Sequence, residues 1–396
     1  MDDLRQRLRE LPCGTRLLDA AAGMTGVHLV GGAVRDLLLG GVPRELDVVV
    51  EGDVSDLAAR LGAGGAAAVV HERFGTATVL DGDCRWDLAA ARAETYARPG
   101  VLPDVRPARI EQDLLRRDVT VNAIALDLAT GELRAAPHAA EDLAARRLRV
   151  LHDASFVDDP TRLWRIARYA ARLRFALEEH TERLARDAVR AGVLDRVSGT
   201  RIGNELRLAL ADPDPVAALE AAAALGLAPW LTVDRALIER ALGLLPAGEG
   251  RRDLLVLAAA LPAPDDARLA DLQFSAAERA IVRACHEAPA LDDAPRKPSD
   301  LARILRGRPI EAVALAGARS GSPAGEQAAR CWTEELRHVG LQITGDDLRA
   351  AGLPEGADLG RRLRAVLDLR LDGELGPDRD AQLAAALALA APPGTS

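Results

Sequence analysis

Near residue 150 the hydrophobic spacing of the chain changes period, which limits it to a mixed head followed by a helical array. Before that point short β-type runs bounded by Gly and Asp recur: VHLVGG, ELDVVVEG, AAAVVHE, ATVLDGD, CRWDLAAA and VTVNAIALDL, with helical patterns at 33–40 and 54–62. After it strand signals nearly vanish. Ala, Leu and Arg then recur at helical spacing, as in TRLWRIARYAARLRFAL and RIGNELRLALAD. Proline clusters at DPDP (212–215), PAPDD (262–266) and APRKPSD (294–300) mark breaks. The predicted division is a head over 1–150, a helical neck over 151–211, a helical body over 212–300 and a helical tail over 301–396, with the terminal APPGTS frayed.

Composition narrows the function. A net charge of -9 excludes a uniformly basic nucleic-acid wrapper, because affinity for a polyanion comes from Lys and Arg neutralising phosphates. Any nucleic-acid surface is therefore a local stripe, and it is built of arginine, since Lys297 is the only lysine. Cys13, Cys84, Cys285 and Cys331 form no CxxC pair, so a zinc ribbon or disulfide framework is not expected; they read as small buried apolar residues in a reducing compartment. The opening MDDLRQRLRELP is amphipathic and charged, and no run of about 18 apolar residues spans a membrane, so a cytoplasmic protein is expected.

The chemistry concentrates in HLVGGAVRDLLLGGVPRELDVVV, residues 28–50. A strand runs into Gly31-Gly32 and then a helix, leaving backbone N–H groups unobstructed for an anion. Arg35, one turn later, reaches either a phosphate or the acids Asp36 and Glu45. In ELDVVV, period-two geometry puts Glu45 and Asp47 on one face with Leu46 on the other. Two carboxylates held that close call for a cation, and Mg²⁺ takes oxygen ligands while bridging to phosphates. The competing reading is a solvated strand edge. Asp87 in RWDLAAA starts another apolar strand and completes a carboxylate platform if its strand adjoins that of Asp47. In DLLRRDVTVNAIALD, Arg117 suits a phosphate and Asp118 and Asn122 suit ribose hydroxyls, although turn and cap roles explain each singly.

GGAVRD, ELDVVVEGD, FGTATV, DLAAARAETY, RRDVTVNAIALD, DDPTRLWRIARYAARLRF and SGTRIGNEL stand in the order and rough spacing of the class II tRNA nucleotidyltransferases and bacterial poly(A) polymerases, which residues 25–210 resemble. The resemblance implies an α+β nucleotidyltransferase head with a mixed or antiparallel sheet, followed by an all-α neck, body and tail. It implies that Gly31, Gly32 and Arg35 meet the triphosphate of ATP or CTP. It also implies that Glu45, Asp47 and Asp87 bind two Mg²⁺ ions and carry the chemistry, and that Arg117, Asp118 and Asn122 handle triphosphate and ribose. Family members usually have Asp-x-Asp where this chain has Glu45-Leu46-Asp47, and the extra methylene leaves open full activity, slower activity, an altered metal preference or inactivation.

In the neck, Asp159 and Arg162 match the family's base-selecting pair. Asp159 accepts from an exocyclic amine and Arg162 donates to ring acceptors, which selects C or A. Arg162, Arg165 and Arg168 recur every third residue and so share one helix face, either against the nucleotide or solvated. Residues 97–112 correspond to a family loop that helps switch from C to A, and their length favours an enzyme adding the terminal A, alone or as part of CCA. His152-Asp153 lacks companions and reads as structural. Arg201, Arg207 and the segment 296–308 are candidate contacts for the tRNA acceptor arm. The alternatives are a poly(A) polymerase, disfavoured by the short neutral C-terminal end, and a non-catalytic RNA- or nucleotide-binding homologue marked by Glu45.

Overall fold

A seven-stranded mixed sheet forms the head. The structure is a computed structural model that describes residues 2–43, 45–63, 65, 67–71, 75–96, 98, 103–291 and 296–389. Helices α1 (Asp2–Arg9) and α2 (Pro12–Ala20) precede β1 (Val27–Val30), α3 (Gly32–Leu38) and β2 (Leu46–Val50). Then come α4 (Ser55–Gly62), β3 (Ala67–His71), β4 (Thr76–Asp81), β5 (Cys84–Ala90), β6 (Arg92–Thr95), β7 (Asp104–Pro107), α5 (Ile110–Leu115), β8 (Ile124–Asp127) and β9 (Leu133–Ala135). The sheet order is β3-β4-β5-β2-β1-β8-β9, with β2 and β5 parallel and the other neighbours antiparallel. The β-branched run of β2 is buried on both faces, and Val49 packs with Val30, Ile110 and Leu114.

Two expectations change here. VTVNAIALDL is not one strand: Thr120–Asn122 is a 3₁₀ turn and β8 begins at Ile124. The cause is side-chain hydrogen bonding, because Thr120 Oγ1 donates to the distant Asp142 and Asn122 Nδ2 to Asp118, drawing this backbone away from the ladder. Cys13 and Cys84 are not isolated apolar residues. They form a disulfide across 71 residues that joins α2 to the start of β5, while Cys285 is buried and Cys331 half-buried as free thiols.

Past the head run α6 (Ala139–Ala144), α7 (Ser155–Asp158), α8 (Arg162–Leu173), α9 (Glu179–Arg190), α10 (Gly199–Leu210) and α11 (Pro215–Ala224). The helical run at 161–177 stops early. Arg174 turns left-handed at φ 55, and Ala176–Leu177 then pairs with Arg147–Leu148. DPDP separates two helices as expected, with Pro215 at the first turn of α11 and Asp214 capping it through Ala217 N–H.

The chain falls into two compact units, Met1–Pro229 and Trp230–Ser396, so α11 belongs with the head and neck. The described residues of the second unit carry only helices and turns. Cys331–Glu335 forms a π turn, and Ile343, Leu348, Leu359, Val366 and Ala386 make a small core. Among the described residues no helix is long and apolar enough to cross a membrane. The terminal APPGTS and residues 97 and 99–102 of the candidate C-to-A loop lie outside the described residues; residues 104–107 of that loop are strand β7, paired with β6.

Candidate active site

A cavity of about 960 Å³ in the first unit is lined by Gly31, Gly32, Arg35, Glu45, Asp47, Arg117, Asp118, Asn122, Asp159, Arg162, Arg165 and Arg168. The glycine turn is fixed by what approaches it. Gly31 has φ +67, and a Cβ there would lie 2.8 Å from Arg117 Nη1. Only glycine combines that backbone with that approach. Arg35 is fully buried, and of its candidate acids it meets Asp36: its Nε and Nη2 donate to Asp36 Oδ1 at 2.9 and 2.7 Å, and Nη1 donates to Asn122 Oδ1. Three of the five N–H donors of a guanidinium are thus committed and two remain for an anion. Arg117 is held by Asp113 at 3.0 Å.

The acids meet through sheet register. Asp47 and Asp87 are direct partners on the parallel strands β2 and β5, and Glu45 stands exposed one residue ahead of β2. Burial pushes the Asp47 carboxyl above its ordinary range; Arg117 pulls it down, while Glu45 and Asp87 push it further up. Asp87 lines a second cavity of about 320 Å³ rather than the large one, and Asp47 lines both. The Asp87 carboxylate accepts from Thr78 Oγ1 at 2.7 Å and from Arg85 Nε and Nη2 at 2.8 and 3.2 Å. Among the described residues no three His, Cys, Asp or Glu side chains are already arranged to hold a metal ion. The donor set still fits Mg²⁺ in chemistry, being all oxygen and mutually repelling, and it requires Asp87 to exchange Arg85 for the ion.

The arginine row of α8 is not a solvated face. Asp118, buried, accepts from Arg165 Nε at 2.8 Å, Tyr169 Oη at 2.9 Å and Asn122 Nδ2 at 3.1 Å. Burial alone would raise its pKa, but the Arg165 charge and these donors hold it well below the usual carboxylate range. Arg168 is tied to Glu205 and Asp212, each at 3.2 Å. The Arg162 guanidinium donates to Ser155 Oγ at 2.7 Å and to the Arg116 carbonyl at 2.6 Å, while its backbone N–H donates to the Asp159 carbonyl at 3.1 Å. Asp159 Oδ1 takes Thr161 Oγ1 at 2.6 Å and Arg201 Nη2 at 2.7 Å. Arg201 therefore braces the Asp159 carboxylate, a role different from the RNA contact considered for it.

Sequence reasoning passed over the tyrosines. The chain has two, and both Tyr96 and Tyr169 line this cavity. Burial raises both phenols to about 12, with Glu94 beside Tyr96 adding to it and Asp118 beside Tyr169 doing so against the pull of Arg165. Their rarity in an Ala- and Arg-rich chain was the available signal. Arg172 was missed too; its guanidinium stacks over the Tyr169 ring at 5.6 Å and lines the same wall. His152 and Asp153 make separate contacts, with Asp158 at 3.9 Å and His180 at 2.9 Å. In the second unit Arg303 pairs with Asp300 and Asp368, and Arg308 donates to the carbonyls of Ile304 and Glu287.

Residues 27–149 match the poly A polymerase head domain family. The A-adding tRNA nucleotidyltransferase of Geobacter sulfurreducens is 35% identical over 403 residues, covering 92% of this chain and 45% of that protein. The CC-adding tRNA nucleotidyltransferase of Deinococcus radiodurans is 40% identical over 255 residues, 62% of this chain and 66% of that protein. This chain therefore spans under half the length of the first relative and about two thirds of the second. The solved Thermotoga maritima CCA-adding enzyme complexed with tRNA superposes with a TM-score of 0.76 at 28% identity, covering 98% of each chain. A carboxylate-bearing mixed sheet facing a glycine turn, with neck helices lining the cavity, defines a nucleotidyltransferase-type head, followed in the chain by a helical second unit. The chain belongs to the class II tRNA nucleotidyltransferase family.

Proposed function

We propose that the large cavity binds a nucleoside triphosphate and that the protein transfers its nucleotidyl group to the 3' end of tRNA, adding the terminal A. The observation that carries this is the convergence in one cavity of the Gly31-Gly32 turn, the Glu45 and Asp47 carboxylates and the Asp159 and Arg162 side chains of the neck. The name of the Geobacter relative, aligned over nearly the whole chain, supports the choice of A.

In the reaction the terminal 3'-hydroxyl oxygen attacks the α-phosphorus of ATP. The bond from that phosphorus to the oxygen bridging to the β-phosphorus breaks, pyrophosphate leaves with the electron pair, and the hydroxyl proton passes to water. Glu45, Asp47 and Asp87 would hold Mg²⁺, which when bound lowers the pKa of the hydroxyl and neutralises phosphate charge. The free N–H donors of Arg35, with Arg117, bind the triphosphate tail. Asn122 and Asp118 face the ribose; Asp159 accepts from the adenine amine and Arg162, held by Ser155 and the Arg116 carbonyl, donates to the ring. Arg165 and Arg168 keep this wall in place through Asp118, Glu205 and Asp212.

The proposed division of labour is a catalytic head over 1–150, a base-selecting neck over 151–211, and a body and tail over 212–300 and 301–396 that grip the acceptor arm by shape and phosphate contact. A tRNA substrate sets the work in the cytoplasm, where glutathione opposes the Cys13–Cys84 bond. The test is incorporation of labelled ATP into a tRNA lacking its terminal A. The wild type is expected to label it in Mg²⁺ and the Asp47→Asn variant to lose at least about a hundredfold in rate, on the scale of removing one transition-state electrostatic group. Equal labelling by both would remove Asp47 from the chemistry.

A further inference from the structure

The face of the sheet behind Asp47 and Asp87 carries a cluster that the proposed chemistry leaves unused. Along β5, Cys84, Trp86 and Leu88 are buried on one face while Asp87 projects from the other. Trp86, fully buried, is the register partner of Leu46, and the next partners along the same two strands are Asp87 and Asp47. The packing of Trp86 therefore sets where the two carboxylates stand. Helix α2 holds this tryptophan and its strand by four contacts. Cys13, in the first turn of α2, is bonded to Cys84, and its carbonyl accepts from Trp86 Nε1 at 3.1 Å. The Arg16 guanidinium lies 5.3 Å from the centre of the Trp86 ring and pairs with Asp81, the register partner of Cys84 on β4.

The Arg16 side chain is 41% exposed, so its ion pair holds α2 only weakly. The disulfide is the strongest of the four contacts and the one that a change of medium removes outright. Its two ends differ in access: Cys84 is buried and Cys13 half-buried. A small thiolate therefore reaches the Cys13 sulfur, with Cys84 as the leaving thiolate, because exchange proceeds at the sulfur that the attacking thiolate can approach. A disulfide in a compartment that glutathione keeps reducing is typically transient and redox-sensing rather than a permanent staple. The triphosphate side of the large cavity is built by other elements, with Gly31 and Arg35 at α3 and Arg117 held by Asp113 of α5.

We propose that the Cys13–Cys84 pair is a redox switch on the position of the Asp87 strand. Oxidised, the pair locks α2 against β5 and nucleotidyl transfer runs at its full rate; reduced, it frees β5 and slows the chemical step while ATP binding persists. The proposal rests on reading Asp47 and Asp87 as part of the reacting centre. In the reducing direction a glutathione thiolate attacks Cys13 Sγ, the Cys13–Cys84 bond breaks, and Cys84 leaves as a thiolate that takes a proton from water. A second glutathione thiolate then attacks the glutathione sulfur of the mixed disulfide, and Cys13 leaves and is protonated in turn. Two electrons thus pass from two glutathiones, which end as glutathione disulfide, to the cysteine pair, and oxidised glutathione reverses both steps.

The test poises the full chain in mixtures of reduced and oxidised glutathione, with the half-buried free thiol Cys331 removed in every sample by Cys331→Ser. Thiol labelling counts the fraction reduced. The rate of A addition to a tRNA ending in CC is expected to fall about tenfold on reduction, below the hundredfold that a displacement of about 1 Å costs, and to recover on reoxidation. The Kd for ATP, from equilibrium titration, is expected to stay within about twofold, a difference too small to move the rate tenfold. Amide hydrogen exchange is expected to quicken along β5 and to stay unchanged along β8. Cys13→Ser is expected to show the slow rate at every poise. Equal rates in the two states, with a melting temperature that differs, overturn the proposal and leave the bond as a staple. Unchanged exchange along β5 on reduction overturns it without recourse to activity. ATP binding that weakens in step with the rate also overturns it, since the whole first unit would then be loosened. No A addition in either state, with β5 exchange still responding to reduction, instead removes the nucleotidyl-transfer reading.

Discussion

Under the proposed function Glu45 would hold metal with a side chain one methylene longer than aspartate, from a site just ahead of β2 rather than within it. Mg²⁺ demands near-ideal octahedral geometry, so the longer arm would set the rate by how closely its oxygen reaches that geometry. Glu45→Asp is expected to raise the Mg²⁺-dependent rate several-fold, and a fall would show that this chain's geometry is built around glutamate. Asp118 gives a second residue-scale prediction. Its pKa is depressed in the fold, so the stability that it contributes is complete above the ordinary aspartate value near 3.9 and is lost only as pH drops through the lower folded value. Asp118→Asn is expected to destabilise the first unit by about 2–3 kcal/mol. That is less than for a fully buried pair because the Arg165 side chain is 40% exposed. Denaturant melts should show this difference unchanged from about pH 7 to pH 5; a difference that shrinks over that window would contradict the depressed pKa.

At the scale of elements, the glycine turn and the β2–β5 register do most to build the site. Gly31→Ala places a methyl against Arg117 in a left-handed backbone, with a strain cost of about 1–3 kcal/mol. The expected result is a KM for ATP raised tenfold or more, read by steady-state kinetics, with the melting temperature lowered only modestly. The Cys13–Cys84 bond fastens α2 to the strand that bears Asp87, and Trp86 Nε1 donates to the Cys13 carbonyl at 3.1 Å beside it. Reducing that bond is expected to lower first-unit stability by about 2–4 kcal/mol. Thermal melts with and without dithiothreitol check this, and Cys13→Ser should be insensitive to the reductant.

Over the whole molecule, the sequence exposed what is local and hid what is not. The strand-turn-helix of 27–38, the period-two carboxylates and the breaks marked by Pro215 and Pro298 were legible because each depends on neighbours within a few residues. Asp87 could be named but not placed, since its pairing with Asp47 spans 40 positions that period alone does not connect. The arginine row was legible as one face of α8, yet not its partners, because Asp118, Glu205 and Asp212 come from other segments. The 3₁₀ turn at 120–122 and the disulfide escaped for the same reason: side-chain partners distant in sequence overrode local propensity.

Under the proposed function one cavity takes ATP and completes a tRNA 3' end. Purified protein is incubated with Mg²⁺, labelled CTP or ATP, and three tRNAs ending before the first C, after it, or after the second C. ATP incorporation is expected on the tRNA ending in CC, one A per molecule; C incorporation on the two shorter tRNAs would extend the activity to the whole CCA end. Absence of A on the CC-ended tRNA, or a run of added A residues typical of a poly(A) polymerase, would contradict it.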